Sequence, residues 1–414
     1  MINLFNYLLI SNIFTGSFIL PTGLFDFYIN YIFMAFFLLF YIFHYRTINI
    51  NRTFAYVLIL FIISSFLNTL YLSNPISSLV KPTIGFIFYG IVYYLLVRIN
   101  NYNVEKLFRV YLQLAFVVAL IGIFQEISFF IGFEYGYDFR YFIPRIVNPQ
   151  IQSGMLRVTS IMQEPTHFGT AMIPAFFISV LNILERRSDF ISKKASFLII
   201  ISTLLTFSLV VYVGIVAAFI LIMLNYRNVR LIVACAVILV ATMFISYRYL
   251  PIVKMKVSET VAVISGKKPL NSVNLSTFAF CSNGFIAYKS FMRNPLFGSG
   301  LGSHPTSYDR YIAQIINPAE IWCTLNRDDA SGLFFRLISE TGLLGTFLFL
   351  YFIIKFYVSR KKDNHLWAIS NSIVCLFILS LLRQGNYFYG GLIFFVFMYY
   401  FVNKNMSLKV GHDH

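Results

Sequence analysis

The stretch RVTSIMQEPTHFGTAMIPAFF, residues 157–177, changes from polar to apolar at Pro165, and the apolar run continues to residue 184. A helical bilayer crossing needs about 20 mostly apolar residues. Pro165 suits the first turn of a helix, where its missing N–H costs nothing. The stretch therefore predicts a membrane span at 165–184, with Arg157, Glu164 and His167 at its outer mouth.

Similar apolar runs recur along the 414 residues, of which 58% are hydrophobic and only 12% charged. Soluble domains carry about twice that charged fraction. The runs are continuous rather than alternating, which excludes a β-barrel of the outer-membrane kind. The composition predicts an all-α polytopic membrane protein, with residues 1–414 forming a single integral membrane domain.

About twelve transmembrane helices are expected, and the start MINLFNYLLISNIFTGSFIL is interpreted as the first of them, not as a cleavable signal. A tight turn is predicted within TFSLVVYVG, residues 206–214, between two short spans. The predicted spans are 2–20, 25–43, 53–72, 82–98, 109–132, 165–184, 195–208, 210–225, 231–250, 331–357, 365–382 and 387–403.

The short connections differ in their basic residues, and this predicts the orientation. HYRTININR, RINNYNVEKLFR, ERRSDFISKK, NYRNVR and SRKKDNH are all basic, whereas short turns on the other side, such as 21–24 and 206–212, carry no Lys or Arg. The basic side is expected to be cytoplasmic, with both termini on it. The net charge of +16 then reflects topology, and no nucleic-acid partner is expected.

Two connections on the outer side are long, namely 133–164 and 251–330, and both are rich in Tyr, Asn, Gly and Pro. Long loops of this kind commonly handle external ligands. Within the larger loop, FAFCSNGFIAYKSFMRNP predicts an amphipathic helix able to lie in the membrane interface. The two long loops are therefore the expected periplasmic substrate-handling segments.

The four cysteines divide into two groups. Cys235 and Cys375 fall inside predicted spans and are expected to be small core residues. Cys281 and Cys323 both fall in the larger outer loop, where an oxidising periplasm allows a disulfide. A Cys281–Cys323 bridge that tethers this loop is predicted.

Arg157 and Glu164 have two interpretations. An arginine at a span's mouth can extend to lipid phosphate. That explains Arg157 but not Glu164, because a carboxylate gains nothing from anionic lipid. A functional site is the favoured interpretation.

The segment NPLFGSGLGSHPTSY, residues 294–308, combines a glycine-rich loop with His304. Such a loop can bring backbone N–H groups close to an anion. It lies outside any strand-to-helix unit, so it is not a dinucleotide fingerprint. His304 is a candidate for proton transfer near neutral pH, and a turn histidine is the alternative.

NRDDASGLFFRLISETGLLG, residues 326–345, places Arg336 and Glu340 four apart on one helix face. The alternatives are a plain intrahelical ion pair and a pair turned toward a cavity, as is usual at hydrocarbon depth. The sequence RDD lacks partners at ligand spacing, so no metal site is predicted.

Arg383 in LLRQGNYFYG, residues 381–390, is the sole arginine in a short outer connection and runs against the charge bias. Together with Arg157 and Arg336 it gives a set of cations at one membrane face. Arginine is suited to bidentate binding of phosphate groups.

Three of these segments resemble motifs of the bacterial O-antigen polymerases of the Wzy type and the related O-antigen ligases. RVTSIMQEPTHFG resembles the R-x-x-S-x-x-x-E-P-x-x-x-G signature, NPLFGSGLGSH resembles a glycine-rich loop of the family, and SGLFFRLISETGLLG resembles the segment after the large periplasmic loop. Their order and the layout of spans also match, so the resemblance covers most of the chain.

The resemblance implies a GT-C-like inner-membrane glycosyltransferase that joins glycans carried on undecaprenyl diphosphate at the periplasmic face, without metal or other cofactor. Besides this lipid-linked oligosaccharide and membrane lipids, a chain-length regulator is left open as a partner. The resemblance implies diphosphate binding by Arg157, Arg336 and Arg383, and it leaves the proton acceptor open among His304, Glu164 and Glu340.

Two departures favour polymerase over ligase. Ser331 and Leu209 stand where the ligase branch usually has a histidine and an arginine. A ligase, a polymerase for another surface polysaccharide and a lipid-linked glycan flippase or transporter remain the alternatives. A transporter is expected to show charges in mid-span and related halves, and the sequence shows neither.

Overall fold

The computed structural model describes residues 1–21, 26–46, 74–143, 145–152, 154–186, 188–225, 229–249, 251–317, 322–360 and 363–412, and positions 59, 62, 63, 66 and 70. This part of the chain is almost entirely helical and forms no closed sheet. Apart from those five positions, the predicted span 53–72 lies outside the described residues.

The helices alternate with short connections through most of the chain. They are α1 (Ile2–Ser11), α2 (Ile29–Tyr45), α3 (Ile76–Ile99), α4 (Val104–Phe130), α5 (Glu134–Tyr137), α6 (Pro165–Leu184), α7 (Lys193–Leu204), α8 (Leu209–Asn225), α9 (Val229–Tyr249), α10 (Pro251–Ile264), α11 (Leu275–Arg293), α12 (His304–Tyr311), α13 (Leu333–Lys355), α14 (Asn364–Arg383) and α15 (Leu392–His412). Single 3₁₀ turns occur at Phe139–Tyr141, Leu270–Ser272, Ile312–Gln314 and Tyr389–Gly391.

Two small antiparallel hairpins interrupt the helices. Strand β1 (Ile19–Pro21) pairs with β2 (Asp26–Tyr28) so that Ile19 lies opposite Tyr28. Strand β3 (Ile151–Gln152) pairs with β4 (Met155–Leu156), directly before the stretch that carries Arg157. The second hairpin therefore shapes the approach to the charged mouth of α6.

Five helices within the described ranges are long and apolar enough to cross a membrane: α3, α4, α6, α13 and α14. Three shorter helices, α1, α2 and α8, are also apolar. These helices confirm the prediction of an all-α protein of the multi-pass membrane type.

The predicted first span, 2–20, is wrong in its extent. Helix α1 ends at Ser11, and the chain then turns into strand β1. The reason is local, because the Thr15 hydroxyl donates to the Ser11 carbonyl at 3.0 Å and to the Asn30 side chain at 2.7 Å, which offers the backbone an alternative to a continued helix.

Two other boundaries follow the prediction closely. Helix α6 covers the predicted 165–184, with Glu164 as its N-cap residue and Pro165 in its first turn. The predicted turn in TFSLVVYVG is present at 205–208, between α7 and α8. At this turn Phe207 has φ 43°, a value that bulky residues rarely adopt.

Helices α6 and α14 form the centre of the bundle. They are the most buried of the five candidate spans, and they pack against each other. Helix α13 by contrast exposes Leu343, Phe347, Tyr351 and Ile354 along one side. Large apolar side chains left exposed at helical spacing are expected where a helix faces hydrocarbon.

The larger outer loop is mostly helical and has a small apolar core of its own, separate from the main one. Val273, Phe278, Ile286, Tyr308 and Ile312 are among its buried members. The predicted amphipathic helix is present as α11, whose buried face packs against α13 and this core. The loop is therefore a folded cap on one end of the bundle.

The predicted Cys281–Cys323 disulfide is not formed, because both thiols are free. Cys323 packs instead against the small apolar core of the outer loop, next to Trp322, whose ring meets that of Phe278 edge to face. Packing, not a covalent bond, joins this part of the loop to α11. Cys375 is a buried core residue as predicted, whereas the side chain of Cys235 lies outside the described part.

Candidate functional site

A cavity of about 250 Å³ lies where the two long outer loops meet the bundle. We call the lining from the bundle and the first loop the floor of the cavity, and the lining from α10 and α11 its roof. The floor and the roof face each other. The floor consists of Gln150, Arg157, Glu164, Pro165, Thr166, Ser208, Leu209, Val210 and Arg383, and the roof consists of Lys256, Thr260, Ser276, Thr277 and Phe280. Three of the six predicted site residues, Arg157, Glu164 and Arg383, line this cavity.

Arg157 is presented by a segment that two polar residues of α4 hold in place. The Gln125 side-chain oxygen accepts from the backbone N–H groups of Thr159 and Ser160, at 3.1 and 2.9 Å. The Glu126 carboxylate accepts from the backbone N–H of Leu156 at 3.2 Å. Gln125 after Arg157 and one oxygen of Glu126 before it thus hold the backbone, so the segment on either side of Arg157 is anchored.

Backbone strain occurs close to the cavity. Ser160 has φ 51° and Phe207, next to the floor residue Ser208, has φ 43°. Ala330 and Ser331, with φ 57° and 61°, lie beside Arg383. Non-glycine residues held in the left-handed region cost about 1–3 kcal/mol each and concentrate at functional sites. Their grouping here marks the cavity as a candidate site.

The guanidinium of Arg157 is bonded to neutral oxygen atoms. Its Nε donates to the carbonyl of Thr206 at 3.4 Å, and Nη1 donates to the side-chain oxygen of Gln150. Burial lowers the pKa of Arg157, and the neighbouring Glu164 charge opposes this shift. An arginine remains protonated under such a shift, so Arg157 presents a positive charge to the cavity.

Glu164 keeps its carboxylate available although it is the N-cap residue of α6. Its side chain makes no capping hydrogen bond and is 41% exposed. Its Oε1 lies 3.4 Å from Nε2 of His167, one turn along the helix. The ring of His167 rests against Tyr389 with 4.3 Å between centroids. Glu164 is therefore the carboxylate among the described residues that line the cavity, and the imidazole of His167 lies next to it.

Arg383 reaches the cavity from the end of α14. Its Nη1 donates to the hydroxyl of Ser331, the residue at one of the two positions where the sequence departs from the ligase branch. The side chain lies close enough to Glu164 and Asp329 to feel their charges. Arg383 and Arg157 thus approach one cavity from different elements, as the sequence predicts.

Lys256 is a cavity residue that the sequence motifs did not indicate. It lies on α10 and lines the roof. Burial lowers its pKa to about 8, and the charges of Arg157 and Arg383 add to the shift, while Glu164 opposes it. Lys256 and Lys254 lie two residues apart on this helix, and no sequence pattern distinguishes them, so only the tertiary contact reveals Lys256.

Glu340, Arg336 and His304 do not line the cavity among its described residues; they form a separate buried cluster. The Glu340 carboxylate is wholly buried and accepts from Arg336 Nε at 3.0 Å, Tyr387 Oη at 2.9 Å and the Gly302 N–H at 2.9 Å. Arg336 also donates to the carbonyl of Gly385 at 3.0 Å and lies over the Tyr387 ring. The ion pair expected at this spacing is present, and further hydrogen bonds surround it.

The glycine-rich loop binds an anion, and that anion is the protein's own Glu340. The loop crosses α13 at its kink, where Gly342 has φ 61° and ψ −157°. A Cβ on Gly298, whose φ is 69°, would lie 2.4 Å from the carbonyl carbon of Glu340. Only glycine allows this backbone approach. The loop therefore fastens the outer cap to α13.

His304 is fully buried, and neutral partners bond both of its ring nitrogens. Nδ1 lies 2.9 Å from Ser339 Oγ and Nε2 lies 3.0 Å from Asn283 Oδ1. Asn283 donates through its amide nitrogen to Ala279 O, which fixes its oxygen toward the ring. Burial lowers the pKa of His304 to about 3, with the charges of Arg336 and Arg327 adding to the shift. This placement suits a positioning role better than proton transfer at the cavity.

No family model matches the chain, and no curated protein matches it either.

Proposed function

We propose that this chain is an O-antigen polymerase of the Wzy type, which joins undecaprenyl-diphosphate-linked repeat units at the periplasmic face of the bacterial inner membrane. The single observation that carries the proposal is the cavity, because Arg157, Arg383 and Lys256 meet Glu164 there. Two of these residues, Arg157 and Glu164, belong to the stretch that resembles the family signature.

The charge of the cavity supports a diphosphate ligand. Among the described residues that line it are three cationic side chains and one carboxylate, which together carry a net of two positive charges. A substrate whose leaving group is a diphosphate develops negative charge on the departing oxygen. Preorganised cations around such an oxygen usually give the largest catalytic contribution. The cavity offers this arrangement without any bound metal in the proposed reaction.

The proposed reaction uses few protein groups. The growing glycan on its lipid diphosphate is the donor, and a hydroxyl of a new lipid-linked unit attacks its anomeric carbon. The bond from that carbon to the diphosphate oxygen breaks, and Arg157 and Arg383 stabilise the released charge. The hydroxyl proton passes to Glu164, which acts as the general base because its carboxylate faces the cavity.

The buried cluster has a supporting role in this proposal. Arg336 and Glu340 hold the turn after Arg383 through Gly385 and Tyr387. His304 and Gly302 hold the glycine-rich loop on the same carboxylate. The cluster thereby fixes the outer cap and Arg383 relative to the bundle, which sets the spacing of the cavity's cations.

The membrane arrangement is part of the proposal. About twelve spans in a GT-C-like fold would place both termini in the cytoplasm and loops 133–164 and 251–330 in the periplasm. The contact of both loops with one cavity supports placing them on the same side. On the opposite end, Arg360 pairs with Glu185 at 2.9 Å, which joins the two basic connections expected in the cytoplasm.

Single-cysteine labelling tests this arrangement in a variant in which Cys235, Cys281, Cys323 and Cys375 are replaced. Asp328→Cys should react with a membrane-impermeant maleimide from outside the inner membrane, since the Asp328 side chain is 84% exposed. Asp189→Cys should react only after permeabilisation. Labelling of position 189 from outside would overturn the orientation and the location of the site.

The surface glycan of a deletion strain tests the reaction. Loss of a polymerase leaves single repeat units on the core, loss of a ligase leaves none attached, and loss of a flippase traps the units inside. A single-unit phenotype restored by the intact chain supports the proposal. A phenotype with no attached glycan, and with lipid-linked units that have reached the periplasm, would replace it with ligation, the nearest rival. A full glycan ladder in the deletion strain would exclude all three.

A further inference from the structure

The roof of the cavity contributes one basic side chain among its described residues, Lys256 of α10. The floor contributes Arg157, Arg383 and Glu164. A ligand anion held by the floor alone would leave the roof without a charged contact. Lys256 is therefore the charged contact that the described part of the roof can offer to an anion, beside the hydroxyls of Thr260, Ser276 and Thr277.

The orientation of α10 is set by contacts one turn beyond Lys256. Glu259 accepts from Lys268 Nζ at 2.8 Å and from the Asn274 backbone N–H at 2.8 Å, which ties α10 to the start of α11. Thr260 lines the cavity beside Lys256. Lys254, two residues earlier, is exposed instead. Two lysines on one helix thus have different surroundings.

The charges around the Lys256 ammonium also indicate that it can take an external anion. Within the described part of the chain no carboxylate forms an ion pair with Lys256, and the carboxylate that lines the cavity with it is Glu164. Arg157 and Arg383 face it with like charge, and their repulsion favours its neutral form. An anion placed between roof and floor would reverse this balance, since opposite charge favours the protonated amine.

We propose that Lys256 is a third ligand of the anion that Arg157 and Arg383 hold, so that the bound group joins the roof to the floor. This inference rests on the proposed function for the identity of the substrate. The recognised chemistry is a phosphate anion, which either the diphosphate of a lipid-linked glycan or a phospholipid headgroup can supply. The two sources are separated by the experiment.

The pH dependence follows from the groups that face Lys256. From the floor these are Arg157, Arg383 and Glu164. Glu259 on the same helix is bonded instead to Asn274 and Lys268, which lower its pKa to about 2. Above pH 6 the Glu259 carboxylate is ionised and the arginines stay charged. Lys256 is then the group that titrates near pH 8, and anion affinity should fall as it loses its proton.

The test measures binding of inorganic pyrophosphate to the purified full chain in neutral detergent by calorimetry. Lys256→Met should weaken binding about tenfold or more, as for loss of a charged hydrogen bond. Lys256→Arg should bind within a few-fold of wild type. Lys254→Met is the matched control and should bind like wild type, because that side chain is exposed on the same helix.

A pH series distinguishes the loss of the Lys256 charge from weak binding caused by misfolding of a variant. The ratio of the wild-type affinity to the Lys256→Arg affinity should fall about fivefold or more between pH 7 and 9, because only the wild type loses its charge there. Titration of pyrophosphate itself cancels in this ratio. A ratio that stays constant, with unchanged pyrophosphate affinity in Lys256→Met, overturns the proposal.

A parallel titration with short-chain phosphatidylglycerol distinguishes the source of the phosphate. Pyrophosphate should bind more tightly, and only its binding should depend on Lys256 and not on Lys254. If the phospholipid binds as tightly and both lysine variants weaken it equally, Lys256 is a headgroup anchor and the proposal is overturned.

Failure of this inference and of the proposed function are distinguishable. A glycan ladder that needs Arg157, together with pyrophosphate binding indifferent to Lys256, overturns the role of Lys256 alone. Pyrophosphate binding that needs Lys256, in a strain whose deletion leaves the glycan ladder intact, overturns the polymerase and keeps the anion site.

Discussion

The cavity and the buried cluster contain the same residue types but use them differently. At the cavity, Arg157 bonds neutral oxygens and Glu164 is 41% exposed. In the cluster, the Glu340 side chain has no exposure and accepts from an arginine, a tyrosine and backbone N–H groups. An arginine and a glutamate close in sequence therefore indicate neither function nor structure until their partners are known.

The difference lies in whether hydrogen-bonding capacity is left for a ligand. A buried ion pair survives when additional hydrogen bonds satisfy its remaining lone pairs, and Glu340 meets that condition. Cations that face a cavity with one carboxylate among them retain capacity for an external anion. The four predictions below test this contrast, starting with the largest expected effect.

Replacing Glu340 by Ala should lower the free energy of unfolding by about 3–5 kcal/mol, because it leaves Arg336 as a buried charge without its partner. Equilibrium unfolding in mixed micelles measures this. The matched control is Glu164→Ala at the cavity, which should change stability by only about 0.5 kcal/mol. Equal stability of the two variants would show that the cluster and the cavity do not differ as described.

Replacing Arg157 by Ala should reduce polymerisation on the order of a hundredfold, since a charge-assisted contact to a leaving group contributes about 2–4 kcal/mol. Arg157→Lys should keep only part of the activity, because it retains the charge but not the fork geometry. The readout is the glycan ladder in a deletion strain at matched protein level. The exposed Arg310 serves as the control, and Arg310→Ala should leave the ladder unchanged.

A normally expressed Arg157→Ala protein that gives a full ladder would contradict this prediction. Equal activity of the Arg157→Lys variant and the wild type would also count against it. Arg157 would then anchor the segment to lipid phosphate, and the cavity would lose its main cation.

His304 should make stability depend on pH between about 6.5 and 5. Its folded-state pKa is about 3, below its ordinary 6.5, so the unfolded chain binds the extra proton in this range. Stability is therefore complete above pH 6.5 and falls as pH decreases, by up to about 1.4 kcal/mol per unit. Unfolding measured at pH 7 and pH 5 should show this loss in the wild type and a smaller one in His304→Gln.

The activity profile supplies the control for that experiment. If His304 only positions the loop, His304→Gln should keep the shape of the wild-type pH profile while melting earlier. A profile that loses an ionisation in the variant would instead place the imidazole in proton transfer.

The outer cap should be insensitive to reducing agent, the smallest effect expected. Cys281 and Cys323 are free thiols in the structure. Mass spectrometry of non-reduced protein should find both alkylated, and dithiothreitol should not change the melting temperature. A bridged peptide containing both residues would restore the disulfide predicted from the sequence.

The membrane character and most helix positions were predictable from sequence because hydropathy acts over whole helices. Residues 165–184 show this, since the apolar run that follows Glu164 and begins at Pro165 forms a helix with the predicted bounds. The first span failed because α1 ends at Ser11, where the Thr15 hydroxyl donates to the Ser11 carbonyl and to the Asn30 side chain and so competes with a continued helix. A window of average hydropathy does not register such competition.

The sequence predicted that arginines bind the ligand at the candidate site, but it did not predict which of them line the cavity. The sequence put Arg157, Arg336 and Arg383 at one membrane face, yet Arg336 belongs to the buried cluster and Lys256 takes the cavity position. The positions of Gln125 and Glu126 in the apolar α4 were the available signal for an anchoring role. Polar residues in such a run require partners, but the sequence does not identify those partners.

By itself, the sequence determined an all-α membrane protein with charged residues at the mouths of its helices, because burial of apolar surface and helical periodicity are local properties. Only the tertiary structure decided which charged side chains keep hydrogen-bonding capacity for a ligand. Glu340 accepts hydrogen bonds from the glycine-rich loop and from Tyr387, and His304 is bonded to Asn283. These partners are distant in sequence, and the glycine-rich loop meets α13 at the kink of Gly342. Hydrogen-bonding capacity depends on these long-range contacts, and no sequence pattern encodes it.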